Sequence, residues 1–294
     1  MKPRFYMVDV FAEQAYSGNP LAVFVGAEEL SSETMQLLAA EMNFSETTFV
    51  TSVPEEDGGY RVRVFTPSRE IAFTGHPILG TAWVIRKHLS STTAAEICLN
   101  LEVGQVPVTF ESSADGTELV WFQAPPMILG ATSSAELFSQ ALGLSVDDID
   151  TSTPIQMISA GTSAMIVPLR SQDALQRSKL DLEAYSSLAA QGFPPLVYVC
   201  CSETHQPQTD LCVRFFFEAH GVREDPATGN GAACLGAYLL EHKDSPALTL
   251  SIRIEQGYEV RRPSLIMLRA KIEGNHYQVS VGGYVIPTVQ GELQ

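Results

Sequence analysis

Apolar and polar residues alternate through FYMVDVF (5–11), and its aromatic and β-branched content makes it a strand. LAVFVG (21–26) is its natural partner, with YSGNP as the turn between them. In SSETMQLLAAEMN (31–43) the apolar positions Met35, Leu38, Ala39 and Met42 recur at helical spacing, and Ser31 or Ser32 is placed to cap the N-terminus. ETTFVTSV and YRVRVFTP return to strand patterning. HPILGTAWVIRKHL (76–89) is apolar on nearly every side, which predicts a central buried helix, with Pro77 as its first helical residue. Strand patterns follow in EICLNL, VPVTF and ELVWFQA, with a turn at 112–117 and a linker in APPMILGATSSAEL.

After that linker the pattern begins again. SGNPLAVF (17–24) has a counterpart in AGTSAMIV (160–167), VRVF (62–65) in VRFF (213–216), and TGHPILGTAWVI (74–85) in TGNGAACLGAYL (228–239). The three matches keep the same order in both halves. Two copies are too few for a solenoid, and they predict two similar lobes. In each, a strand leads through a Thr-Gly turn into a buried apolar helix.

Composition narrows the chemistry. A chain of 294 residues is long for one core and natural for two lobes. Apolar residues make up 45% and charged ones 18%, as in a globular protein. The net charge of −16 argues against nucleic acid and anionic membrane as partners. The N-terminus shows no secretory h-region, and no apolar run approaches the roughly 20 residues of a membrane span. Five cysteines, an odd number, lack zinc-like spacing; Cys200 and Cys201 read as buried strand thiols. A reducing cytoplasm is the expectation.

A helix N-terminus exposes unpaired N–H groups at the positive end of the helix dipole, and a glycine there lets an anion approach the backbone. A lone Thr-Gly turn would most simply tighten the entry into a packed helix. Its duplication favours two anion corners, one per lobe, that hold a small carboxylate across a cleft. TGNGAAC lacks the GK[ST] ending of a phosphate loop and makes a poor dinucleotide fingerprint. Among side chains able to move protons, Glu46 in NFSETTF has apolar and uncharged neighbours that suit a general acid/base. His76, at a helix start, is expected to be neutral. Asp225, just before Pro226, is a turn residue or a supporting group. Asn19 is a substrate donor or a turn cap. Asp9 points inward or outward from mid-strand, and Cys234, inside a helix, is packing.

At these residues the chain resembles the PhzF-like (phenazine-biosynthesis-protein-like) isomerases of the diaminopimelate epimerase fold superfamily. The resemblance is carried almost end to end by DVFAEQAYSGNPLAVF, EMNFSETTFV, RVFTPSREIAFTGHPILGTA, EDPATGNGAACLGAYL, QGYEVRRPS and VGGYVIPTVQGEL. It implies an α+β fold of two similar lobes related by a pseudo-twofold, each a curved, mostly antiparallel sheet wrapped round a central helix. The first lobe would cover 1–118, with a terminal strand at about 284–294 returning to it, and the second 119–283. The resemblance makes Glu46 the general acid/base, with His76 and Asp225 lining the site. The backbone around Gly75, Gly229 and Asn230 would hold the substrate carboxylate. It further implies a homodimer with neither metal nor cofactor. Two departures are visible. Thr74 and Thr228 stand where diaminopimelate epimerases carry cysteine, and Asn230 stands where phenazine enzymes carry serine.

The expected activity is therefore a cofactor-independent isomerisation that moves a proton on a small carboxylate. A non-thiol amino-acid epimerase or racemase is the first alternative, and a ligand-binding or scaffold protein without turnover the second.

Overall fold

The computed structural model describes residues 3–72, 74–90, 94–112, 117–194, 196–217, 222–242, 249–274 and 276–294. The chain divides into two compact units, Met1–Gln123 with Gly282–Gln294, and Ala124–Val281. The expected boundary after 118 would cut a strand at its first residue; the division comes after Gln123. Residues 113–116 of the expected turn lie outside the described residues.

In chain order the first unit contains β1 (Arg4–Val10), β2 (Asn19–Val25), α1 (Ser32–Met42), β3 (Glu46–Val50), β4 (Tyr60–Phe65), β5 (Glu70–Ile71), α2 (Gly75–His88), β6 (Glu96–Leu101), β7 (Gly104–Ser112) and β8 (Glu118–Gln123). The second contains β9 (Ile128–Ser133), α3 (Ala135–Ala141), β10 (Ile155–Ala160), β11 (Thr162–Pro168), α4 (Gln172–Arg177), α5 (Leu182–Ala190), β12 (Val197–Cys201), β13 (Leu211–Phe217), β14 (Val222–Asp225), α6 (Gly229–Glu241), β15 (Thr249–Gln256), β16 (Ser264–Glu273) and β17 (His276–Gly283). The last strand, β18 (Val285–Glu292), belongs to the first unit.

The repeat seen in the sequence is a repeat of pairings. In the first unit β1 lies antiparallel to β2, β2 parallel to β3, β3 antiparallel to β4, and β4 parallel to β6. In the second, β10, β11, β12, β13 and β15 make the same succession with the same directions. The two terminal strands are exchanged. β18, the end of the second repeat, pairs antiparallel with β1, Val10 opposite Val285. β9, the end of the first repeat, pairs antiparallel with β10, Ile155 opposite Ser133. The segment expected as a linker is therefore largely structured: β9 takes Ile128–Ser133, and Ser134 caps α3.

Each unit closes round one helix. In α2 every residue from Gly75 to Ala82, and then Val84 and Ile85, is buried, and the helix packs on β1, β2, β3, β6, β7 and β8. In α6 all residues from Gly229 to Tyr238 are buried against β10, β11, β15 and β16. A helix apolar on all sides has no face to give to water, so a sheet must wrap it. Pro77 is the third helical residue, not the first. The position costs nothing, because the first turn of a helix has no intrahelical carbonyl for its N–H groups. α1 lies outside the sheet. Ser31 caps it by accepting from Thr34 N, Asn43 ends it in the left-handed region at φ 52°, and Met35 and Ala39 pack with Phe24, Phe49 and Phe65. No helix among the described residues is long and apolar enough to cross a membrane.

Candidate active site

The β1–β2 connection is tightly built. Gly18 has φ +67°, and a Cβ there would lie 2.3 Å from the Val10 carbonyl oxygen. A side chain is thus excluded both by conformation and by space. Asp9 points inward, 3% exposed, and its Oδ2 accepts the Tyr16 N–H at 2.6 Å, which fixes the turn. The turn in turn delivers Asn19, fully buried as the first residue of β2, to α2: its side-chain Nδ2 lies 3.2 Å from His76 Nδ1.

Glu46 opens β3 opposite Leu21 of β2, and it is 6% exposed rather than a loop carboxylate. Thr74 is the N-cap residue of α2, yet its side chain caps no helical N–H. Its Oγ1 donates to Glu46 Oε1 at 3.4 Å. His76 Nδ1 lies 3.5 Å from Glu46 Oε2. Burial lowers the His76 pKa from 6.5 to about 3, with the Pro20 carbonyl pulling the other way, so the ring is neutral beside the carboxyl and the contact is not an ion pair. Asn19, Glu46, Gly75 and His76 are thus gathered at one helix start in the first unit.

The second unit repeats the device with different residues. Thr228 is the N-cap residue of α6 and likewise caps no helical N–H. Its Oγ1 donates to Asp225 Oδ2 at 2.6 Å. Asp225 is 5% exposed at the end of β14. Asn230, the second residue of α6, donates from Nδ2 to the Thr162 carbonyl at 3.0 Å. That carbonyl can only accept, which fixes the amide orientation. In each unit, then, the threonine before the central helix turns its hydroxyl to a buried carboxyl group. The first helical turn, with Gly75 or Gly229 leading, gets no cap from that threonine.

Gln256, absent from the sequence expectations, organises this second corner. It is fully buried at the end of β15. Its Oε1 accepts Thr228 N at 3.1 Å and the Tyr198 hydroxyl at 3.4 Å, and its Nε2 donates to the Asp225 carbonyl at 2.8 Å. The adjoining Gly257, at φ +83°, is held so close to the Pro226 and Arg262 carbonyls that a Cβ would meet both within 2.5 Å. Cys234 is packing: buried in α6, it donates to the Ile158 carbonyl at 3.4 Å, and burial pushes its thiol up to about 12.

Chemically, the first corner offers a carboxyl group shielded from water, a neutral imidazole and a helix N-terminus. Such a set transfers protons and holds an anion. The second corner offers a helix N-terminus and a carboxyl group tied into a hydrogen-bonded net.

Comparisons with known proteins place the chain in a family. The family model for phenazine biosynthesis-like protein matches residues 8–291. A trans-2,3-dihydro-3-hydroxyanthranilate isomerase of Pseudomonas aeruginosa is 36% identical, over 95% of this chain and 95% of its own length. A crystal structure of a Bacillus anthracis phenazine biosynthesis protein of the PhzF family superposes with TM-score 0.90 at 26% identity, covering all of both chains. A hydroxyproline epimerase of Agrobacterium vitis, crystallised with trans-4-hydroxy-L-proline, has TM-score 0.64 at 12% identity over 100% of this chain and 94% of that one, a likeness of fold alone. By sequence along nearly its whole length and by fold, the chain belongs to the phenazine biosynthesis-like (PhzF) protein family.

Proposed function

We propose that the protein is an isomerase that moves a proton on a small carboxylate substrate, with Glu46 as its general acid/base. The observation that carries this is the first corner itself. A carboxyl group with almost no exposure sits between the Thr74 hydroxyl and a neutral His76, beside a helix start whose N-cap threonine makes no capping bond. Glu46 as carboxylate takes a proton from a substrate C–H, and the electron pair shifts along an allylic system. The Glu46 carboxylic acid so formed exchanges its proton with solvent and then delivers a proton to a second carbon, which regenerates the carboxylate. Backbone N–H groups at Gly75 and His76 hold the substrate carboxylate and the charge that builds on it. His76 orients the substrate. The name of the Pseudomonas relative, an isomerase of a hydroxyanthranilate, supports a small carboxylate as substrate. Two-thiol epimerisation is disfavoured, since Thr74 and Thr228 occupy the places before the leading glycines and Cys234 is packing.

Glu46→Gln tests the assignment. With a candidate carboxylate in D2O, solvent deuterium entry at carbon should fall by at least about 10²-fold, the usual scale of general acid–base catalysis, while the fold is kept. Exchange at the wild-type rate in this variant would remove Glu46 from the chemistry. Retained optical configuration at the exchanging carbon separates isomerisation from epimerisation.

A further inference from the structure

Away from both corners, the second unit brings three metal-ligating side chains together from separate elements. Cys212 of β13 lies in register with Glu255 of the parallel neighbour β15, so the two side chains share one face. Cys201 of β12 is in register with Cys212 on its other side. His205, in the loop that leaves β12, folds back over this row with its ring stacked on Tyr258 at 3.8 Å and 1°. His205 Nδ1 lies 3.0 Å from Glu255 Oε2 and 3.7 Å from Cys212 Sγ. All three donor atoms fall within 4.8 Å of one another, the one such grouping among the described residues. Tetrahedral zinc, with Zn–N and Zn–O near 2.0–2.1 Å and Zn–S near 2.3 Å, requires ligand atoms roughly 3.3–3.7 Å apart.

We propose that His205 Nδ1, Cys212 Sγ and Glu255 Oε2 form a binding site for a thiophilic divalent cation of the zinc type, with water as the fourth ligand. The donor set suits zinc: one imidazole, one thiolate and one carboxylate, whose two negative charges neutralise the ion. Glu255 stays anchored when the ion enters. Its Oε1 accepts from Gln206 N and Thr209 Oγ1, and Oε2 also accepts from His205 N. The ion takes the place of the single proton between His205 Nδ1 and Oε2. On binding, the Cys212 S–H bond breaks and its proton goes to solvent as the S–metal bond forms, while the imidazole moves its own proton to Nε2. His205, with 22% of its side chain exposed, gives the ion its entry path. Short sequence motifs could not show the site, because one ligand comes from a loop and the other two from strands far apart in the chain.

Cobalt(II) is the probe. Chelator-treated protein titrated with cobalt should develop thiolate-to-cobalt charge-transfer absorption that saturates near one ion per chain, and zinc should bleach it, since zinc stands above cobalt in the affinity order. Cys212→Ser should abolish the band, and Cys98→Ser should leave it intact. His205→Phe keeps the stacking on Tyr258 and should weaken cobalt binding at least ~10-fold, the floor set by losses of groups that merely support ligands. It decides the matter if Cys212→Ser does not fold. No thiolate band in folded wild-type protein with excess cobalt, an unchanged band in Cys212→Ser, or unweakened binding in His205→Phe would overturn the site.

Discussion

Below about pH 6.5 an unfolded chain protonates His76, and the folded protein does not, because burial has lowered its pKa to about 3. The native pKa is depressed below the unfolded value for a group charged when protonated. The unfolded state therefore binds more protons in the window between the two values, and stability falls as pH drops through it. Between pH 7.5 and 5.5 this one residue should cost about 1 kcal/mol. Urea unfolding of wild type and His76→Gln at the two pH values checks it: the variant should lose that much less stability on acidification. The residues of the first corner were legible in the sequence because Glu46 and His76 sit in short motifs, NFSETTF and TGHP, whose neighbours are uncharged. The roles of Thr74 and Thr228 were not. In the sequence they are only the threonines of two Thr-Gly turns, standing in place of cysteine, and only the fold shows their hydroxyls turned to Glu46 and Asp225. Gln256 was hidden for another reason. It reaches Thr228 across 28 residues of chain, through a strand register that no local pattern specifies.

At the scale of elements, the central helices pay for their burial in shape. Gly80 of α2 faces β1 and β2, and a Cβ there would come within 2.6 Å of Leu21 Cδ2 and 2.9 Å of Val10 Cγ2. Gly236 of α6 is less crowded, its nearest neighbours being Val279 and Leu268 side chains at 3.1–3.2 Å. Alanine is favoured over glycine in a helix by about 1 kcal/mol, and overpacking a core costs about 1–3 kcal/mol. Gly80→Ala should therefore destabilise by about 1 kcal/mol or more, and Gly236→Ala should be close to neutral. Thermal or urea unfolding of the two variants in parallel reads the difference, and equal effects would show that helix position, not crowding, governs both. That these helices would be buried was plain from TGHPILGTAWVI and TGNGAACLGAYL, which leave no polar face. That β9 would be a strand was not. ILGATS has no alternating face, and its residues are exposed or half-buried, so it is placed by its backbone pairing with β10 and by the Gln156 side chain on the Gly130 carbonyl.

The whole molecule carries an internal duplication with its last strands traded between repeats. Sequence patterning revealed the duplication and, through the family likeness, the return of the terminal strand; the matching exchange of β9 follows only from the pairings. Deletion of residues 285–294 should strip β1 of its β18 partner while leaving β9–β17 complete. Hydrogen exchange should then show lost protection in β1 and retained protection in β10–β13. Uniform loss across both units would mean that they unfold as one. The exchange also sets an order for biosynthesis. As the polypeptide leaves the ribosome, β1 emerges long before β18, and its outer edge must wait for the whole of the second unit before β18 arrives to cover it. A nascent chain would carry that open edge throughout translation, a standing invitation to pair with a neighbour. The exposed Arg4 at the start of RFYMVDV then has a use before folding that the finished protein does not show, since a charge on an open strand edge discourages pairing with a neighbour.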